Sequence, residues 1–327
     1  MPGHRTAAQD TTGPDLHPNE VDALTAVFQE HRGRLFAVAH RMVGSVADAE
    51  DVLQEVWLGW VRGRRDEVVS PQGYLVRATV NRSLDRLASP ARQREVGIPT
   101  WLPEPAVTTW APEAPDPADA AQTADSVSLA LLVVLETLSP LERAVFVLRE
   151  AFGYEHAEIA AMLDRSPAAV RQLSHRAREH VRARRPRFAT DVDEPRRRAL
   201  TERFVRAAQG GDLTTLMQLL APDVEFRTDG GGGRVQAARQ VVRGRDKVVR
   251  LLSGLVARGW MPPFEVRPCR VNGGPGHLLV QDGWSFGVVV VELSPDGARV
   301  QAVYAQLDPL KLPGPRRPPE HWYDHRG

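Results

Sequence analysis

The stretch SPAAVRQLSHRAREHVRARRPR, Ser166–Arg187, reads as a helix with a polar start and a basic outer face. Ser166 is placed to cap it and Pro167 to open its first turn, while Val170 and Leu173 point back into a core. The outward positions carry Arg171, Gln172, His175, Arg176 and Arg178. Just upstream, GYEHAEIAAMLDR (Gly153–Arg165) offers Ile159, Ala160 and Leu163 as the inner face of a shorter helix, with small Ala160 permitting a close crossing. That is helix-turn-helix spacing, with Asp164 where the turn usually favours glycine. From Arg171 to Arg187 seven arginines stand against one acid, Glu179, a net of +6. Basic runs alone are common on solvated helices. The cap, the partner helix and the arginine face together point to duplex DNA, read by base-edge and phosphate contacts whose affinity falls with salt.

The rest of the chain sets the bounds. At 327 residues it exceeds one comfortable core, so two or three domains are expected. The net charge is only +1, so any electrostatic argument must be local. Basic charge is almost all arginine; the lysines are Lys247 and Lys311. A single cysteine, Cys269, excludes an intramolecular disulfide and argues against a thiolate metal site. The opening MPGHRTAAQDTTGPDLHP has no apolar signal-peptide core, and no run approaches the ~18 apolar residues needed to span a bilayer. The expectation is a cytoplasmic protein with no membrane partner, no cofactor and no metal site.

Organisation follows composition. Residues 1–18 read as a disordered leader. From Asn19 the apolar residues repeat at helical spacing (Val21, Leu24, Val27, Phe28, then Leu35, Phe36, Val38), and Ser70-Pro71 signals a helix start. Residues 96–126 form a proline-rich linker whose ionisable residues from Gly97 on are all acidic, expected to be extended and semi-rigid. Helical periodicity returns at Val127 and runs to Arg185. Beyond TDVDEP, helices near Arg196–Gln209 and Asp212–Leu220 lead into strand-like runs: DVEFRT, RVQAARQVVR, FEVRPCRV, HLLVQD, FGVVVVEL and ARVQAVYAQL. SPDG at Ser294–Gly297 joins the last two as a hairpin. Helices followed by antiparallel strands indicate an α+β domain over 195–313, with a tail at 314–327.

The segment SVADAEDVLQEVWLGW, Ser45–Trp60, sets Asp48, Glu50, Asp51 and Glu55 on one helix with Val52, Leu53, Val56, Trp57 and Leu58. Acid–base catalysis or metal binding fits poorly, since no histidine or second carboxylate cluster sits at ligand spacing nearby. A plain amphipathic surface helix does not readily explain two tryptophans. Together with SPQGYLVRATVNRSLDRL (Ser70–Leu87), the segment resembles the sigma-two domain of extracytoplasmic-function sigma factors. The resemblance implies an all-α domain at 19–95 that docks on the clamp helices of the largest subunit of bacterial core RNA polymerase. Its docking residues would be Asp48, Glu50, Asp51, Leu53, Gln54, Val56 and Trp57. It would hold the melted minus-ten strand through Tyr74, Arg77, Asn81, Arg82 and Arg86, with Asn81 and Arg82 favoured over Tyr74. The helix-turn-helix, an all-α domain at 127–187, then corresponds to sigma-four. It would read the minus-thirty-five duplex through Ser166, Arg171, Gln172, His175, Arg176 and Arg178.

The chain continues beyond the usual end of that family, near Arg187. The extension resembles a SnoaL-like, nuclear-transport-factor-two-like cone, which a subgroup of these sigma factors carries. The subgroup's linker motif WLPEP stands at Trp101, Leu102, Pro103, Glu104 and Pro105. Its glycine motif appears as DGGGG at Asp229, Gly230, Gly231, Gly232 and Gly233. Its NPDKL motif reads DPLKL at Asp308–Leu312, keeping Pro309, Lys311 and Leu312. The resemblance implies regulation in cis and the absence of a cognate anti-sigma factor, and leaves room for a small-molecule ligand in the cone. Trp101 is expected to pack on the C-terminal domain and set the placement of the two DNA-reading domains. Two alternatives stand beside this reading. One is an isomerase or cyclase in the cone, with Asp229 and Tyr304 as its catalytic candidates but no convincing pair. The other is a helix-turn-helix regulator acting without polymerase.

Overall fold

Five serines cap helices between Ser45 and Arg184. The hydroxyls of Ser45, Ser70, Ser128, Ser139 and Ser166 each accept the backbone N–H three residues on, at 3.2–3.4 Å. The computed structural model describes residues 18–63, 68–90, 100–109, 128–184, 194–233, 235, 237–259 and 264–314. The expected leader through His17, most of the linker, Arg185–Arg187 and the tail beyond Gly314 lie outside the described residues.

Three helices form the first unit: α1 (Pro18–Val43), α2 (Val46–Arg62) and α3 (Pro71–Ala88). Their 3.6-residue stripes meet in a core of Leu35, Val38, Met42, Val52, Leu53, Val56, Trp60, Leu75, Val76 and Val80. The second unit comprises α4 (Leu129–Leu135), α5 (Pro140–Phe146) running on as a π turn (Val147–Ala151), α6 (His156–Met162) and α7 (Pro167–Arg184). The two units share one apolar cluster, in which Met42 and Val80 join Val145, Leu148, Ile159 and Val170. Arg143, buried between them, donates to the Met42 carbonyl at 2.6 Å and pairs with Glu136 at 2.8 Å. Arg41 lies 4.8 Å above the Phe152 ring.

The third unit is α8 (Glu194–Gly210), α9 (Leu213–Leu219), β2 (Leu220–Asp229), β3 (Val242–Arg243), α10 (Arg245–Ala257), β4 (Glu265–Val271), β5 (Gly274–Gln281), β6 (Trp284–Leu293) and β7 (Val300–Gln306). A linker strand, β1 (Val107–Thr109), joins the sheet at its edge, giving the order β1-β4-β5-β6-β7-β2-β3. Neighbours are antiparallel except β2 and β7, which run parallel. Side chains alternate between two buried faces. Val289, Val291 and Val303 meet the helices, while Val288, Val290, Ala302 and Tyr304 face Leu102, Leu129 and Ala130 on the other side. Burial on both faces is why β6 reads as an unbroken valine run.

The run RVQAARQVVR was expected to be a strand, but among its described residues only Val242–Arg243 is one. The helix α10 that follows had no sequence-based counterpart. Gly244, at φ +94°, turns the chain out of the strand, and Val248, Val249 and Leu252 then present a helical apolar stripe to the core.

Candidate functional site

The helix-turn-helix closes through its unusual turn residue. Asp164 takes φ +52°, a left-handed conformation that favours glycine and that aspartate tolerates, and the Arg165 N–H reaches the Ala160 carbonyl at 2.9 Å. Val170 and Leu173 are buried, while Ser166, Arg171, Gln172, His175, Arg176 and Arg178 are exposed along α7. Arg176 approaches Glu142 at 3.4 Å and Arg178 approaches Glu150 at 3.7 Å. Both guanidinium groups are more than half exposed, so these pairs contribute at most about 1 kcal/mol and leave them available to phosphate.

On α3, Tyr74, Arg77, Asn81 and Arg82 are exposed at intervals of three, four and one residues, forming one face. Tyr74 leans on Trp60 with ring centroids 5.5 Å apart. Arg86 differs from the other four. Its Nε donates to Asp48 and its Nη2 to Asp51, both at 2.9 Å, and hydrogen bonding to Asp48 raises its pKa further. In this conformation Arg86 ties α3 to α2.

The α2 surface also differs from the expected set. Glu50, Asp51 and Gln54 are exposed, Asp48 is held by Arg86, and Glu50 pairs with Arg32 at 2.6 Å. Leu53 and Val56 are 3% and 2% exposed and belong to the core, not to a docking face. The spacing cannot tell these apart, because a two-sided helix places core and docking residues side by side. The tryptophans find intramolecular partners: Trp60 Nε1 donates to the Leu24 carbonyl at 3.2 Å, and half-buried Trp57 packs on Phe28 at 5.4 Å.

The linker motif touches both ends of the molecule. On the C-terminal side, the Leu102 N–H donates to Asp229 Oδ2 at 3.0 Å, and Lys311 Nζ donates to the Leu102 carbonyl at 2.8 Å. Lys311 also meets Asp229 Oδ2 at 2.7 Å and lies 4.4 Å from the centre of the Trp101 ring. Leu102 is fully buried, with Leu312 in the same apolar cluster. Asp229 does not sit in a loose glycine loop. It ends β2, is 1% exposed, and accepts the Gly231 N–H at 2.9 Å. Gly230 allows the chain to pass: a Cβ there would stand 2.4 Å from the Val235 carbonyl oxygen. Gly231 and Gly232 follow at φ +67° and +70°. Pro309 opens a short 3-10 turn in which Asp308 accepts the Leu310 N–H at 3.1 Å, so the aspartate standing in place of the motif's Asn acts as the cap.

On the N-terminal side, Glu104 Oε2 accepts from Ser45 Oγ and the Val46 N–H, both at 2.8 Å. This carboxylate sits at the start of α2, where the helix dipole favours negative charge. The Glu104 N–H donates to the Gly44 carbonyl at 2.8 Å, and buried His40 meets the Glu104 carbonyl at 3.0 Å. Burial lowers the His40 pKa, which leaves Nε2 of the neutral ring to donate to that carbonyl. Pro103 and Pro105 are also buried.

Two contributors were not visible in the sequence. Gln306, fully buried at the end of β7, points Nε2 at Asp229 from 3.3 Å and at the Leu102 carbonyl from 3.4 Å. Asn272 binds Ala106 in both directions at 2.8 Å, beside β1. A glutamine closing an apolar strand two residues before DPLKL was the available signal. Both catalytic candidates lie on the linker side of the sheet: Asp229 is saturated by donors, and Tyr304 is packed in the cluster with Leu102. Burial of Cys269 in the same cluster pushes its thiol up to about 12, so it stays protonated.

Comparison with known proteins is consistent with this layout. The Sigma-70 region 2 family matches residues 27–93, and Sigma-70, region 4 matches residues 128–181. The ECF RNA polymerase sigma factor SigJ of Mycobacterium tuberculosis is 43% identical over 232 residues, covering 71% of this chain and 72% of that protein. The probable ECF RNA polymerase sigma factor SigI of the same species is 33% identical over 294 residues, covering 89% and 95%. The crystal structure of M. tuberculosis SigJ superposes with a TM-score of 0.66 at 36% identity, covering 90% of this chain and 98% of that one.

Proposed function

Because the chain belongs to the extracytoplasmic-function RNA polymerase sigma factors, which direct promoter-specific transcription initiation, we propose that its SnoaL-like domain regulates that activity in cis through WLPEP. The observation that carries this reading is the division of the motif. Trp101 and Leu102 are held by Asp229 and Lys311, while Glu104, two residues on, caps α2. A segment this short fixes its two anchors relative to each other. The minus-ten and minus-thirty-five elements lie about 25 base pairs apart, about 85 Å of duplex at 3.4 Å per pair. The two helical units share one core in this structure and must separate to reach both elements. The SnoaL-like domain would set how readily they do so.

In this reading α2 meets the polymerase clamp helices through Glu50, Asp51, Gln54 and the exposed edge of Trp57. The exposed face of α3, from Tyr74 to Arg82, meets the melted strand, and α7 reads the duplex. The protein works in the cytoplasm without a cognate anti-sigma factor, the appended domain taking that part. The cone is regulatory, not catalytic, since Asp229 and Tyr304 serve the linker. A small ligand on its helix side would meet His277, a buried residue whose Nδ1 has no hydrogen-bond partner among the described residues. Run-off transcription with core polymerase tests the proposal by comparing the full chain, a version ending at Arg187 and Trp101→Ala. Altered transcript yield in both variants is expected. Equal yield from all three would remove the regulatory role.

A further inference from the structure

Arg239 to Arg258 carries Arg239, Arg243, Arg245, Lys247, Arg250 and Arg258 against the single acid Asp246, a net of +5 in a chain whose total is +1. Helix α10 turns this charge outward. Val248, Val249 and Leu252 face the domain core, while Lys247 and Arg250 are exposed, with Gly254 next along the same stripe. Lys247 and Arg250 make no ion pair among the described residues, whereas Arg243, 64% exposed, reaches Glu225 at 2.9 Å. Helix stability does not explain the pattern, since a lysine in the first turn of a helix opposes its dipole. Gly254 weakens the helix interior, and a Cβ there would meet nothing within 4 Å. A bare helix face flanked by cations gives a polyanion backbone room to approach.

We propose that the outer face of α10 is a third DNA contact, one that binds duplex phosphates without reading sequence. The inference rests on the DNA-binding reading of the chain. The partner is DNA and not an acidic protein because the helix-turn-helix on the same chain already brings duplex close, at high effective concentration. The helix is about 20 Å long, enough to follow a few phosphates along one strand. The contact adds affinity and salt dependence, and leaves promoter choice to α3 and α7.

The test is fluorescence anisotropy of the full chain on a 40-base-pair duplex of arbitrary sequence (about four helical turns) across a salt series. Lys247→Gln with Arg250→Gln is expected to reduce the log–log salt slope by about 2 and the affinity at 0.15 M salt by about tenfold. Lys247→Arg with Arg250→Lys should retain both. Gly254→Glu places a carboxylate in the open stripe and favours the helix, so weaker DNA binding by that variant cannot come from unfolding. An unchanged slope in the Gln pair overturns the inference. So does an unchanged slope accompanied by weaker binding to core polymerase, which would identify a protein partner. A parallel Arg171→Gln with Arg176→Gln variant separates the two levels: if it too leaves the slope unchanged, the helix-turn-helix reading itself fails.

Discussion

Asp229 is where the linker, the glycine motif and the C-terminal motif meet, and its charge is answered by Lys311 and backbone donors. Asp229→Asn keeps the shape and leaves the Lys311 ammonium facing a neutral amide. Removing one partner of a sealed pair costs 3–5 kcal/mol; Lys311 retains 16% exposure, so about 2 kcal/mol is expected here, read by denaturant titration. Unchanged stability would mean that the pair does not hold the linker. His277 is a second single-residue test. Burial lowers its pKa from 6.5 to about 4, with Glu202 opposing and Arg198 reinforcing the shift. Between those values the unfolded chain binds the extra proton, so stability is full above pH 6.5 and falls as pH drops towards 4. The loss amounts to up to about 3 kcal/mol. A melting series from pH 4 to 7 should flatten in His277→Leu; an equally steep series in that variant would assign the acid sensitivity elsewhere.

Among the helices, α2 draws part of its N-terminal cap from a distant segment. Ser45 caps it locally, and Glu104 adds a carboxylate from 58 residues away. Glu104→Ala leaves Ser45 in place, so the expected loss is about 1 kcal/mol, with faster proteolysis in the linker and little change in helix content. Circular dichroism and limited proteolysis together check this; equal cleavage rates would show that the N-terminal anchor is dispensable. The helices of the two helical units were legible because Ser70 and Ser166 announce starts and the apolar stripes are strict; the caps at Ser45, Ser128 and Ser139 emerged only from the structure. The α10 helix was missed because it follows directly on a segment read as a strand and carries Gly254 in its interior, which weakens the helical signal. Strand β1 escaped notice because three residues form it only against the edge of β4.

At the scale of the whole molecule, the linker side of the sheet is an apolar surface covered by Leu102 and by Leu129 and Ala130 of α4. A chain ending at Arg187 loses that surface, and Leu102 and Leu129 lose their cover. Small-angle scattering should then show a larger radius per residue than in the full chain, alongside the altered transcript yield. Equal compactness would mean that the shared core of the two helical units suffices to hold them together. That core includes Arg143, buried against Met42 and Glu136, whose role no local pattern suggests.

The sequence alone determined the three-part order of domains, the helix-turn-helix with its basic outer face, the acidic-apolar helix and the three short motifs of the appended domain. These are local, carried by caps, periodicity and charge within one or two turns of chain. Only the tertiary structure decided which apolar residues of α2 are core, that Arg86 is tied to Asp48, and that Trp101 lies against a lysine 210 positions later. Such pairings come from packing of distant segments, and the residues that meet leave no shared periodicity by which they could be matched beforehand.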